Sequence, residues 1–247
     1  MDSASTVTVM TFNVGNGLAR ARRLIPSLRA SGADIIGLQE LAAIQAEAIA
    51  AELATDYPYQ ELHPDGVEGK GALSRYPLAD EGLLPLVNDR PDLRVTALIG
   101  GASLTLLVTH PAPPYHHWRD THSKAAAHAQ IAMLTGIALA CPPAVLLGDF
   151  NMTKRHAHYA HLETAGLVDA FGVAGAGPQY TLPTRVGYSR RLKHSLRWAR
   201  LIPVVRVDYI WLTADLAVES AWVGRDAGSD HLPVFARFSV PAARAIL

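Results

Sequence analysis

Cysteine is nearly absent: Cys141 stands alone in 247 residues, so no disulfide can form within the chain. Long apolar runs are absent too. The longest, near 104–108 and 144–147, fall far short of the roughly 18 residues that a membrane-spanning helix needs. Neither charge is in excess, 22 basic residues standing against 22 acidic, so no global field draws the chain onto nucleic acid or membrane. The start, Met1-Asp2-Ser3-Ala4-Ser5-Thr6, has no basic segment and no apolar segment of a secretory signal. Cytoplasmic residence is therefore the default expectation, with a trimmed membrane-associated or exported parent as the alternative. No repeat, linker or low-complexity tract interrupts the chain, and one domain spanning 1–247 is expected. With 49% hydrophobic residues, a sizeable core is available to it.

The stretch 144–151, AVLLGDFN, organises the rest. Four apolar residues read as a buried strand, Gly148 lets the backbone turn, and Asp149 and Asn151 emerge at the strand's end. A carboxylate on the rigid exit of a core strand is costly unless a metal, a proton or a partner meets it. An Asx turn with a capping Asp would explain this one segment equally well. Other strands end the same way, however.

Residues 6–12 (TVTVMTF) read as a strand ending at Asn13, and 33–38 (ADIIGL) as a second ending at Gln39-Glu40. Between them, apolar positions 18, 24, 25 and 28 recur at helical spacing up to about residue 30, and an Ala-rich helix follows over 42–53. Short strands are expected over 57–62, 71–73 and 83–87. Those over 93–99 and 104–109 flank Gly100-Gly101, a two-residue hairpin signal, and the second ends at His110. A long helical pattern covers 118–139, and another helix lies near 156–165. A Gly-rich loop is expected over 172–177, a strand containing Asp208 over 205–212, and a last strand over 234–238 after Gly228-Ser229-Asp230-His231. Helices alternate with strands and hairpins occur as well, so the sheets should be mixed.

Collected together, the polar residues that follow or punctuate these strands are Asn13, Glu40, His110, Asp149, Asn151, Asp208, Asp230 and His231. Four carboxylates converging on one site repel each other unless a cation sits among them. Oxygen ligands on rigid strands suit Mg²⁺ or Mn²⁺, and such a set performs metal-assisted attack of water on phosphorus. Singly, each residue has a plainer explanation: Asp208 a turn acid, Glu40 a charge at a helix N-terminus. Ser229-Asp230-His231 is not a serine triad, because adjacent side chains rarely converge and no GxSxG elbow occurs. His116, His117 and His122 read as a polar loop and helix start rather than a zinc site. His156, His158 and His161 read as an exposed helix face, or as the rim of the site.

The motifs TFNVGNG, LQE, GALSRYPL, VTH, LLGDFN, VDYIWL and GSDHLPV occur in this order over nearly the whole chain. In this the chain resembles the endonuclease/exonuclease/phosphatase superfamily. The resemblance implies a four-layer α/β sandwich, two mixed β-sheets face to face with helices outside. It also implies a divalent-metal-dependent phosphoesterase. By position, Glu40 would be the main metal ligand with Asn13 beside it and Asp230 on the metal side. Asp149 would orient or deprotonate the attacking water, Asn151 hold a phosphate oxygen, and His231, oriented by Asp208, contact the scissile phosphate. His110 would touch phosphate or assist the leaving group.

The resemblance leaves the substrate open. Between Asp169 and Asp208 there is no acid, and the segment 185–206 holds Arg185, Arg190, Arg191, Lys193, Arg197, Arg200 and Arg206 interleaved with Leu192, Leu196 and Trp198. Arg190, Arg191 and Lys193 are expected to bind substrate, and the segment suits a polyphosphate, a nucleic-acid backbone or an anionic membrane. A solvated basic loop is the plainer alternative. A small or lipid-linked phosphoester is the favoured substrate of an expected monomer. A DNA or RNA nuclease is the runner-up, and a silent phosphate-binding scaffold or a serine acyl hydrolase stand further off.

Overall fold

The architecture follows from alternation along the strands. A computed structural model of the chain describes residues 4–87, 90–113, 121–185 and 201–242, with backbone alone over 121–124. In chain order come β1 (Ser5–Asn13), α1 (Ala21–Arg29), β2 (Ile35–Gln39), α2 (Ala43–Glu52), β3 (Tyr59–His63) and β4 (Lys70–Ser74). Then follow β5 (Leu78–Leu84), β6 (Asp92–Ile99), β7 (Ala102–Thr109), α3 (Thr121–Ala140), β8 (Ala144–Asp149) and α4 (Ala157–Thr164). The remainder comprises β9 (Val168–Asp169), α5 (Ala170–Ala174), β10 (Gly175–Ala176), β11 (Asp208–Leu212), β12 (Ala217–Val223) and β13 (Val234–Val240).

Two mixed sheets result, ordered β10-β12-β13-β1-β2-β4-β3 and β5-β6-β7-β8-β11-β9. The pairs β1–β2, β7–β8 and β10–β12 are parallel, and the other pairs antiparallel. Every second residue faces the opposite sheet. Val7, Val9, Leu106, Val108, Val145, Leu147, Ile210 and Leu212 thus share the inter-sheet core. Their alternates turn outward onto helices. Met10, Phe12, Ile36 and Leu38 meet Leu24 and Leu28 of α1 and Ile49 of α2. Leu146, Tyr209 and Trp211 meet Ile131 and Leu134 of α3 and Tyr159 and Leu162 of α4. The outcome is the four-layer sandwich. Each fully buried Val or Leu contributes about 1.5–3 kcal/mol, so these faces dominate its stability.

One close approach positions the site. β7 and β8 pair in parallel, Thr109 beside Gly148, and a Cβ on Gly148 would sit 1.9 Å from the Thr109 carbonyl oxygen. Only glycine permits that spacing one residue before Asp149.

Several local expectations shift. The Gly-rich loop at 172–177 is instead α5, whose first turn Asp169 caps by accepting from Phe171 N–H at 3.2 Å, followed by β10. β12 goes unrecognised in the sequence because its residues are mostly half exposed and carry no clear alternation. The helix expected from residue 18 begins at Ala21, since the Leu18 N–H donates to the Gly15 carbonyl in a turn. The strand expected over 83–87 starts earlier, as β5, with an irregularity between Ala79 and Gly82 where Asp80 takes a positive φ. The Gly100-Gly101 hairpin forms as expected, with φ of 55° and 85°. Among the described residues no helix is long and apolar enough to cross a membrane.

Candidate active site

The inward-facing rows of the core end in polar residues at one end of the sandwich. Along β1, Val7 and Val9 are followed by Thr11 and Asn13; along β8, Val145 and Leu147 by Asp149; beyond β7, Leu106 and Val108 by His110. β11 runs antiparallel to β8, so Asp208 lies directly across from Asp149. β13 runs antiparallel to β1, which returns the 228–231 turn to the same end. Glu40 closes β2, which is parallel to β1. Glu40 and Asn151 both adopt left-handed backbone, φ 53° and 51°, a conformation that costs a non-glycine residue about 1–2 kcal/mol.

Oδ2 of Asp149 is the hub. It accepts from Asn13 Nδ2 at 3.0 Å and lies 3.5 Å from His110 Nε2 and 3.6 Å from His231 Nε2. Its Oδ1 accepts from Asn151 N–H at 2.9 Å. The same Asn13 amide nitrogen donates to Glu40 Oε1 at 3.1 Å, so one amide links two carboxylates. Asn13 Oδ1 meanwhile accepts from Gly15 N–H at 2.9 Å, and this oxygen reaches a cation beside Glu40 only if the amide turns over. Asp208 is fully buried and holds His231 Nδ1 between its oxygens at 2.9 and 3.2 Å.

Burial and charge set two different imidazoles. Burial opposes a charge on His231, but Asp208, then Asp149 and Asp230, outweigh it and raise its pKa well above the histidine range. His110 moves the other way: burial, Lys70 and Arg90 lower it well below that range. Its Nδ1 donates to the Val67 carbonyl at 3.2 Å, which leaves Nε2 unprotonated toward Glu40 and Asp149. One ring is thus a cation and the other a neutral acceptor. Burial pushes Asp149 up to about 7; the His231 charge opposes this, while Asp208 and Glu40 add to it. Burial also raises Glu40, with Asn13 opposing and Asp230 adding.

Further residues support the site beyond the set expected from the sequence. Ser229 Oγ donates to the Asn13 carbonyl at 2.6 Å and accepts from His231 N–H at 3.2 Å, locking the last turn to β1. Lys70, fully buried on β4, donates to the Glu68 carbonyl at 2.7 Å, and burial lowers its pKa to about 8. Asp92, raised to about 6 by burial, accepts from Thr109 at 2.7 Å and from Gln130 at 2.9 Å. Lys70 lies between Gly69 and Gly71 and outside the motifs. Its one signal was its place two residues before inward-facing Ala72.

Asn151 lies at the site's edge, its Nδ2 donating to the Pro111 carbonyl at 3.0 Å. Asp230 is half-buried, its Oδ1 3.3 Å from Ser229 Oγ. The two ends of the basic segment are structural. Arg185 donates to the Ser229 carbonyl at 2.7 Å and pairs with Asp226, while Arg206 is buried against Asp169 at 2.5 Å and stacks on Tyr209. Arg190, Arg191, Lys193, Arg197 and Arg200 lie outside the described residues.

Asp149, Asp208 and His231 present ligand atoms within 4.8 Å of one another, a buried group that could hold a metal ion at the end of a four-layer α/β sandwich. Residues 10–231 match the sequence model of the Endonuclease/Exonuclease/phosphatase family, and the chain belongs to that family. Its members are hydrolases of phosphoesters and in general depend on divalent metal. The Escherichia coli (strain K12) protein YbhP is 26% identical over 263 residues, covering 92% of this chain and 94% of its own. Among solved structures, the endonuclease/exonuclease/phosphatase from Beutenbergia cavernae DSM 12333 superposes with a TM-score of 0.75 at 20% identity, over 95% of this chain and 72% of that one. D. rerio TDP2 complexed with a single-strand DNA product gives 0.72 at 20%, over 96% and 100%. Sphingomyelinase C from Streptomyces griseocarneus gives 0.70 at 20%, over 94% and 99%. At these identities the structural likeness establishes the fold.

Proposed function

We propose that the protein, as one catalytic domain over 1–247, is a divalent-metal-dependent phosphoesterase acting on a small or lipid-linked phosphoester. The observation that carries the chemistry is the convergence on Asp149 Oδ2 of an amide, a neutral imidazole and a cationic imidazole. Asp149, poised at about 7, accepts the proton of the attacking water or orients it. His231, held cationic by Asp208, donates through Nε2 to a phosphate oxygen whose charge grows in the transition state. His110, bare at Nε2, accepts from water or from a substrate hydroxyl rather than donating to phosphate. Asn151 presents its amide at the rim, within reach of the phosphate once it releases Pro111.

The donor set fits Mg²⁺ or Mn²⁺. Glu40 and Asp230 are hard carboxylates that act on each other as like charges, and Asn13 adjoins Glu40. Glu40 would be the principal ligand, with Asp230 and a turned-over Asn13 beside it. Bound there, the ion would polarise a phosphoryl oxygen and lower the pKa of a coordinated water. Asp208 is the poorer ligand, because both its oxygens already face His231 Nδ1.

The substrate reading rests on where the basic segment emerges. Thr184 N–H donates to the Asp230 carbonyl at 2.7 Å, and Leu201 N–H to the Thr184 carbonyl at 2.7 Å. Both ends of the tract that carries Arg190, Arg191 and Lys193 are therefore tied down beside His231. Just past it, Ile202 is 85% exposed and Val204 63%, apolar side chains next to cationic sequence. This pairing suits an anionic lipid surface, where apolar groups enter the headgroup layer and arginines meet phosphate. The test compares metal-dependent hydrolysis of bis-p-nitrophenyl phosphate, p-nitrophenyl phosphate, anionic phospholipid vesicles and plasmid DNA. Plasmid nicking that exceeds the others, without vesicle binding, transfers the assignment to a nuclease.

A further inference from the structure

Among residues that the active site does not use, four imidazoles gather where α3 meets α4. His158 and His161 lie three residues apart on α4 and so share a face. His156, at the N-cap of α4, accepts through Nδ1 from His158 N–H at 3.2 Å. His128 arrives from α3. The ring centroids stand 5.3 Å apart for His128–His158, 5.8 Å for His128–His161 and 4.3 Å for His156–His158. Imidazoles around one tetrahedral ion at the usual metal–nitrogen distance of about 2.0–2.1 Å would have centroids about 5 Å apart. The three spacings scatter about that value, and the side chains must rotate to bring their nitrogens onto one ion.

Their chemistry agrees. The charges acting on buried His158 are those of the other three histidines, and with burial as the main cause they lower it to about 4. The ring is neutral at physiological pH, the form that binds metal. His161 Nε2 is buried yet finds no hydrogen-bond partner among the described residues. A stacked aromatic patch would leave that nitrogen unexplained, whereas a metal would satisfy it.

We propose that His128, His158 and His161, with His156 beside them, form a second metal site for a late first-row divalent ion of the Zn²⁺, Ni²⁺ or Cu²⁺ class. Imidazole donors select such ions, while the oxygen-rich active centre selects Mg²⁺ or Mn²⁺. Occupancy would clamp α3 to α4, which begins shortly after Asn151 on the exit from β8.

The test is calorimetric titration of the full chain with ZnCl₂ in buffer containing excess Mg²⁺, paired with visible absorption of the Co²⁺-loaded protein. Wild type should take up one Zn²⁺ that Mg²⁺ does not displace and show the intense bands of tetrahedral, nitrogen-ligated Co²⁺. His128→Gln/His161→Gln should weaken Zn²⁺ binding by more than about a hundredfold, the upper end of what losing even an outer partner costs. Glu40→Gln should leave it unchanged. His128 is exposed, so the single His128→Gln variant, with the wild-type melting curve in chelator, controls for misfolding and should lose at least about tenfold. No Zn²⁺ binding by wild type, equal binding by the histidine variants, or loss confined to Glu40→Gln would each overturn the site.

Discussion

Replacing Asp208 with Asn keeps the shape of the side chain and one acceptor for His231 but removes the charge. Asp208 is fully buried at the start of β11, 2.9 Å from His231 Nδ1, and is the largest influence that raises this imidazole against burial. Opposite charges about 4 Å apart at an effective dielectric of about 20 attract by about 4 kcal/mol. Losing that attraction in Asp208→Asn should lower the His231 pKa and favour the neutral ring. A lost donor to the phosphate oxyanion then costs about 2.7–4 kcal/mol, roughly a hundred- to a thousandfold in rate. The assay is kcat/KM against pH with Mg²⁺ saturating. The alkaline limb, where His231 loses its proton, should move to lower pH in the variant, and the two rates should approach each other as pH falls. A second readout is stability. Because the folded pKa of His231 is raised, the pair stabilises fully below the ordinary histidine value of about 6.5, and that stabilisation is lost as pH rises through the folded value. The Tm gap between wild type and Asp208→Asn should therefore narrow toward alkaline pH. A uniform drop in rate with an unmoved limb would refute the charge argument and leave Asp208 a packing residue.

Glu40→Gln should raise the Mg²⁺ concentration for half-maximal activity by about tenfold or more and lower turnover with it; full wild-type activity in excess chelator would end the metal assignment. His231→Ala and Asp149→Ala should each slow single turnovers at saturating metal by about a hundred- to a thousandfold with an unchanged circular dichroism spectrum. Gly148→Ala forces a Cβ to within 1.9 Å of the Thr109 carbonyl oxygen and must part β7 from β8; urea unfolding should show a loss of about 3 kcal/mol or more. If Arg190, Arg191 and Lys193 held a DNA backbone, plasmid affinity would fall with salt at a log–log slope of about −0.9 per contact. The small or lipid-linked reading instead expects a shallow slope, and vesicle binding that is lost in Arg190→Ala/Arg191→Ala/Lys193→Ala.

Much of the molecule is legible in one dimension because its signals are local. Apolar runs that stop abruptly at an acid, an amide or an imidazole mark β1, β2, β7 and β8, and Gly100-Gly101 marks the hairpin. Where the signal is weak the reading fails. β12 is mostly half exposed and shows no clear alternation, and α5 contains Gly172 and is too short for a helical period to register. The active centre splits along the same line. Asn13, Glu40, His110, Asp149, Asp208 and His231 are visible as residue types at strand ends. That they meet depends on the pairing of β8 with β11, which sets Asp208 across from Asp149, and of β1 with β13, which brings back His231.

What the sequence determined by itself is most of the longer strands, their alternation and the chemistry waiting at their ends, since each depends on neighbours a few positions away. What only the tertiary structure decided is protonation and company. Lys70, Asp92 and Ser229 join the site because burial and cross-sheet packing put them there. His110 and His231 differ in charge although their side chains are identical. One faces a carbonyl with Lys70 and Arg90 nearby, and the other faces the carboxylate of Asp208. His128 meets His158 and His161 only because α3 lies against α4. Electrostatic free energy in a buried site depends on distances between residues far apart in the chain, and folding alone sets those distances.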